Sequence, residues 1–347
     1  MDEMLQAFDR QTDRRSNCIN TIRLIAALQV AYGHITYHMG VTMPHWINVA
    51  FGYFQGVPIF FLLSGFLIWD SVERSNNYPG YLKKRFWRIY PELWLGILVE
   101  IVGIIIFYGI PNIKQFILFI VSQSTILQFW TPDFLRGYGC GTPNGSLWTI
   151  CVLIQFYLLV WFIRKILHNR SYVVWGVVFL ISILLGMIPE LLSGYLPNII
   201  LKLYNQTVLN YLYLFLAGAF LAEYREKLIP FVTKYWYVLT ATAIVLYTIG
   251  IDIPYTNYDI VKGILCVYGL IGFSYAFPKL NIKTDISYGL YIYHMTVVNV
   301  TITLGMTGKF LYMMFVIAVS AILALISTKT IGAWASKKKS TSVISIK

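Results

Sequence analysis

Charge is scarce in this sequence. Asp, Glu, Lys and Arg make up 12% of its 347 residues against 58% apolar ones, and the mean hydropathy is +0.65. Too few polar side chains remain to cover one or two water-soluble domains, so the composition excludes the soluble classes and predicts an all-α, polytopic integral membrane protein. Acids are scarcer than bases, 15 against 27 Lys and Arg, for a net charge of +12. That excess does not point to nucleic acid, because the cations stand in short runs between apolar blocks, as topology signals do. Cysteine is also sparse: Cys18, Cys140, Cys151 and Cys266 show no C-x-x-C spacing, so neither a disulfide framework nor a zinc site is implied. No internal repeat, which would mark an inverted-repeat transporter, and no low-complexity linker is visible. The polar start MDEMLQAFDRQTDRRSNC lacks the apolar core and small-residue cleavage site of a signal peptide.

What the chain has instead is apolar length. Blocks near 22–40, 49–69, 87–108, 147–163, 171–189, 207–222, 235–251, 259–277, 286–304 and 310–331 each suffice for a membrane span, giving about ten helices. A further stretch, 114–130, is shorter and carries Gln115, Ser122, Gln123 and Gln128; it reads as a re-entrant or interfacial piece within a long loop, 109–146. With ten spans, only Lys114, Arg136, Lys202, Lys262 and Lys309 of the 27 basic residues fall on one side, and the remaining 22 mark the other as cytoplasmic, with both termini there. An eleventh span would put RKILHNR (164–170) outside and break this bias. The expected organisation is a cytosolic segment 1–21, a transmembrane domain 22–334 and a basic cytosolic tail 335–347, in a multi-pass protein of a cell membrane, in bacteria the cytoplasmic one.

Ionisable residues inside such spans are costly and usually face a bundle interior or wet cavity. The first span, NTIRLIAALQVAYGHITYHM, holds Arg23, His34 and His38. Eleven residues at 100° each bring Arg23 and His34 to within about 20° of one face, about 16 Å apart along the axis. Arg23 then sits near the cytosolic end, with His34 near mid-membrane. Other readings stay open: Arg23 as a snorkelling anchor, His34 as a packing residue, or His34 and His38 (i, i+4) with His45 as metal ligands, for which no carboxylate or cysteine completes a set. Ser64 and Gly65 in the second span are small residues that let a neighbouring helix approach. At the cytosolic mouth of the third, YLKKRFWRIYP places Arg85 and Arg88 as i, i+3 neighbours suited to forking onto a phosphate, although positive-inside charge accounts for the run as well. Glu100, deeper in that span, is an intramembrane acid, either a participant in the site or a packing partner of a cation.

The ordered set Arg23-x10-His34, FFLLSGF (60–66), KRFWR (84–88), SLWT (146–149) and ISYGLYIYH (286–294) resembles the membrane acyltransferase-3 family, with matches spread over nearly the whole chain. The resemblance implies a ten-helix fold that moves an acyl group, commonly acetyl, from cytosolic acyl-CoA to a hydroxyl of a cell-surface or lipid-linked glycan. It implies that Arg23 and His34 are the family's essential pair and that Lys84, Arg85 and Arg88 are its RRxxR motif, with lysine at the first position. His34 suits a general base for ester formation, and Arg23 would position the donor or polarise its carbonyl. His294, nine residues beyond Asp285, is a candidate for catalysis or proton transfer, with Tyr288 and Tyr291 on the same helical row. No metal is expected. Where the family reads SLWxLxVEExFY, this chain has SLWTICVLIQFY, so Leu153 and Ile154 replace its acidic pair. Trp130, Tyr138 and Trp148 flank the outer loop, as platforms for a sugar or as an interfacial aromatic belt. The competing expectation is a transporter or exporter, with Arg23, His34, Glu100 and His294 lining a path.

Overall fold

The computed structural model describes residues 16–110, 112–251 and 255–344, the last five through their backbone alone. The expectations for residues 1–15 lie outside the described residues. Among those described there are helices and no strands. In chain order the helices are α1 (Ile19–Met39), α2 (His45–Tyr53), α3 (Gly56–Glu73), α4 (Tyr78–Phe107), α5 (Ile113–Ser124), α6 (Trp148–Leu167), α7 (Tyr172–Leu191), α8 (Asn198–Tyr204), α9 (Leu212–Glu223), α10 (Arg225–Thr248), α11 (Ile260–Ala276), α12 (Ser287–Thr303), α13 (Phe310–Ser327) and α14 (Ala333–Ile344). Several begin on a polar cap that satisfies an otherwise unpaired N–H. Asn77 accepts from the Gly80 N–H at 2.8 Å, Asn112 from Gln115 at 3.1 Å and Asp259 from Lys262 at 2.7 Å.

Among the described residues, six helical stretches are long and apolar enough to cross a membrane: His45–Glu73, α4, α6, α7, α10 and Phe310–Lys339. α5, α9 and α11 are apolar but shorter. The 114–130 stretch forms α5, whose 12 residues extend only about 18 Å against a hydrocarbon core of roughly 30 Å. It lies against α4, where Trp94 Nε1 donates to Ser124 O at 3.0 Å, and Phe116 and Phe119 bury against Ile104, Leu135 and Tyr138. At the basic C-terminal stretch, α14 carries Lys337–Lys339 and packs on α4, with the Trp334 ring edge-on to Trp87 at 5.3 Å.

The chain divides into two compact units. One holds the described residues up to Ala26, Phe51–Ser75 and Gln155–Lys283. In it α3 and α9 touch backbone to backbone: a Cβ on Gly65 would run into the Phe215 carbonyl, and one on Gly218 into that of Leu62. The SG of FFLLSGF therefore serves helix packing, with Ser64 half-buried beside the contact. α10 and α11 are equally close through Gly269 and Gly272, and α10 breaks at Tyr235 (φ −110°, ψ 18°), where the expected span 235–251 begins. At one end of this unit Glu223 accepts from Trp69 Nε1 (2.7 Å), His168 Nδ1 (2.9 Å) and the Asn169 N–H (2.8 Å), beside a buried Asp70–Arg225 ion pair at 2.9 Å. Burial works to raise the Glu223 pKa, but those hydrogen bonds outweigh it and hold the carboxyl below its usual range. The second unit holds Ala27–Ala50, Asn76–Ile154 and the described residues from Thr284 onward, with α4, α12, α13 and α14 packed together.

Candidate active site

Within the second unit, residues 260 apart in sequence meet: His34 Nδ1 lies 2.8 Å from His294 Nε2. The rings stack at 14° with centroids 5.1 Å apart; His34 is half-buried and His294 wholly so. His294 Nδ1 faces the Leu290 carbonyl at 3.2 Å. A carbonyl only accepts, so in the neutral pair Nδ1 of His294 carries the hydrogen and its Nε2 is an acceptor. His34 must then donate from Nδ1, which leaves the lone pair on its Nε2. That nitrogen makes no hydrogen bond among the described residues and can take a proton from a substrate. The His38 ring is 5.9 Å from that of His34. No group of three or more His, Cys, Asp or Glu is placed to hold a metal among the described residues.

α12 is held in register by the chain that enters α6. Asn144 Nδ2 donates to Ile292 O at 2.8 Å, Ser146 Oγ to Asn144 Oδ1 at 2.7 Å, and Tyr291 OH to Ser146 O at 2.9 Å, with Thr149 Oγ1 2.6 Å from the same phenol. One helical turn beyond His294, Asn299 Nδ2 donates to Pro143 O at 2.6 Å and its Oδ1 accepts from the Cys140 N–H at 2.8 Å. SLWT and ISYGLYIYH are thus two sides of one clasp at the start of α6. Asn144 and Asn299 were missed in the sequence, although a lone Asn in the apolar run HMTVVNVTIT is a signal, since a buried amide must find partners.

The basic motif sits elsewhere in this unit, on the first turns of α4. Arg88 pairs with Asp285 at 3.6 Å, and Tyr288 OH donates to Ile89 O at 3.0 Å, so Tyr288 fixes this turn of α4. The Arg85 guanidinium lies over the Tyr81 ring at 5.6 Å, one residue from Lys84. Three cations in just over one helical turn fit an anionic phosphate group, and the lysines of α14 lie on an adjoining helix. Arg23 stands three turns along α1 from His34, half-buried. Glu100 is fully buried on α4, and neither carboxyl oxygen has a hydrogen-bond partner among the described residues. It pairs with no cation there and sits near Tyr138, whose phenol is pushed well above its usual pKa by burial and by the neighbouring Glu100 and Cys140. Tyr138 is wholly buried, so the reading of it as an outward platform for a sugar is corrected: the loop folds it inward against α4. Leu153 and Ile154 lie on α6, the first half-buried and the second buried.

Membrane-long apolar helices and a paired histidine define a membrane-embedded acyltransferase once the family is added. The chain belongs to the acyltransferase-3 family, whose model, an acyltransferase domain, matches residues 16–329. It is 28% identical over 318 residues to Nodulation protein 10 of Rhizobium leguminosarum bv. viciae, covering 84% of this chain and 85% of that protein. It is 29% identical over 302 residues to an O-acetyl transferase of Shigella phage Sf6, covering 83% and 86%. A peptidoglycan O-acetyltransferase of Listeria monocytogenes is 28% identical over 153 residues, 41% of this chain and 23% of that protein. No solved structure matches significantly.

Proposed function

We propose that this protein transfers an acyl group, acetyl by analogy with its named relatives, from cytosolic acyl-CoA to a hydroxyl of an envelope or exported glycan or of its lipid-linked precursor. The observation that carries this reading is the 2.8 Å His34–His294 link, which leaves one imidazole nitrogen as a fixed base. His34 Nε2 accepts the proton of the acceptor hydroxyl as the new ester C–O bond forms, and returns it to the departing thiolate as the C–S bond breaks. His294 holds the His34 ring in the required tautomer and steadies its charged form. Such a base contributes about 10²–10⁴-fold in rate. Lys84, Arg85 and Arg88 would hold the donor's phosphates, and Arg23, nearer the cytosolic end of α1, would position the donor. The six membrane-long stretches, with α1, α11, α12 and α9 lengthened at its start by the turn at Val208–Asn210, make ten spans, in keeping with the charge bias that puts both termini in the cytosol of a bacterial cell.

The test is purified protein with radiolabelled acetyl-CoA. The wild type should bind CoA and move label to glycan; His34→Ala should bind CoA and move no label; the Lys84, Arg85, Arg88 triple alanine variant should lose CoA binding. A wild type that does not bind CoA sinks the reading in favour of transport. Leu153→Glu, restoring an acid of the family pattern, reports whether the natural leucine limits the rate.

A further inference from the structure

The first unit contains a cavity of about 490 Å³ that the acyl-transfer reading leaves unused. It is formed where α3 and α11 begin and α10 ends. The Glu223 cluster lies where α3 ends and α10 begins, so the two features occupy opposite ends of this unit. The Glu223 end carries the cytosolic cations in the proposed topology, so the cavity faces away from the cytosol.

Its chemistry is that of a site for an uncharged, polyhydroxylated ring. The Tyr247 ring is fixed from three directions: the Tyr53 ring meets it edge-on at 5.4 Å, Gln55 Nε2 donates to its hydroxyl at 3.3 Å, and Lys262 Nζ lies over its face at 4.9 Å. Lys262 is also paired with Asp259 at 3.9 Å, so the two formal charges in the lining cancel. That balance disfavours an anionic or cationic occupant, which would have to break the pair. Asn257 supplies an exposed amide, hydrogen-bonded to Tyr211 and with further donor and acceptor capacity, the residue type that reads neighbouring hydroxyls.

The lining also includes Tyr255, 48% exposed and with φ +69°. An aromatic residue in the left-handed region is a backbone outlier, since glycine would adopt it more easily, and such outliers gather at ligand sites. The conformation presents a tyrosine ring at the mouth of the cavity, with a second already immobilised on the wall. The volume falls within the usual range for a small-molecule site, about 300–1,000 Å³.

We propose that this cavity binds a neutral sugar unit of the acceptor glycan, with Tyr247 and Tyr255 as its aromatic faces and Asn257 as its polar reader. The proposal rests on the acyl-transfer reading for the glycan's role, while sugar binding itself is tested apart from catalysis. Fluorescently labelled full-length protein in detergent is applied to an array of neutral and acidic oligosaccharides, as wild type, Tyr255→Gly, Asn257→Ala and His34→Ala. Tyr255→Gly removes the ring and relieves the backbone, so its fold is safe. Retention of at least one neutral oligosaccharide, weakened tenfold or more by Tyr255→Gly and Asn257→Ala and unchanged by His34→Ala, supports the site. No neutral glycan retained, or retention indifferent to both pocket variants, overturns it. Labelled acetyl transfer is measured in parallel: pocket binding without any transfer by the wild type removes the transferase reading and keeps the site. Transfer with an unchanged acceptor KM in both pocket variants removes the site and keeps the transferase.

Discussion

Replacing His294 by alanine removes the acceptor of the His34 Nδ1–H hydrogen bond, 2.8 Å long and wholly buried on the His294 side. A net hydrogen bond contributes about 0.5–1.5 kcal/mol, and without it the imidazole no longer favours the tautomer that keeps its lone pair on Nε2. The larger figure is worth about tenfold in the population of the competent ring, since 1.36 kcal/mol is a factor of ten. Loss of the stacked ring at 5.1 Å frees the His34 side chain to turn as well, and the expected fall in kcat is about 10- to 100-fold. The KM for acyl-CoA should hardly move, because the cations of α4 are untouched. Glutamine supplies the decisive control: its side-chain oxygen reaches about where Nε2 stood and only accepts, so His294→Gln should keep activity within about threefold of the wild type. Transfer of labelled acetyl groups in membrane vesicles, normalised to folded protein, reads both. A well-folded His294→Gln variant as slow as alanine, or an alanine variant changed only in KM, would refute the tautomer argument.

Three further outcomes are expected. Lys84→Ala and Arg85→Ala should each weaken CoA binding about 5- to 15-fold, the worth of roughly 1–1.5 kcal/mol for one phosphate contact, and the loss should shrink as salt rises; calorimetric titration at two ionic strengths checks this. Gly65→Ala forces a methyl into the Phe215 carbonyl and should cost at least the usual overpacking penalty of about 1–3 kcal/mol, seen as a lower Tm in detergent, whereas Ser64→Ala beside it should be mild. Glu223 has a folded pKa below its unfolded one, so its stabilisation is complete above the unfolded value and fades as pH falls through the folded one; the stability gap between wild type and Glu223→Gln, about 1–3 kcal/mol at neutral pH and read as a difference in Tm, should close in acid.

Local chemistry was legible wherever it needed only one stretch of chain. The scarcity of charge and the apolar blocks gave a helical membrane protein, and the shortness and glutamines of 114–130 marked a piece that forms a 12-residue helix and not a long one. Helical phase predicts that Arg23 and His34 share one stripe of α1. The clasp of Asn144, Ser146 and Asn299 on α12 was not legible, because a hydrogen-bond partner 148 or 156 residues away leaves no local periodicity. Glu100 shows the same limit: the sequence marks it as a costly buried acid, and only packing brings Tyr138 to it.

The sequence by itself determined the class of protein, through composition, and proposed the chemical kinds of its site, through a histidine inside an apolar helix and a basic run at the start of another. Hydrophobicity and helical geometry act over a few turns, so a single strand of text carries them. Tertiary structure decided which nitrogen of His34 is free, since that depends on His294 and on the Leu290 carbonyl behind it, brought across 260 residues by the folding of α12 against α1. A proton's position on a ring is set by the partner at 2.8 Å, and no spacing along the chain records that distance.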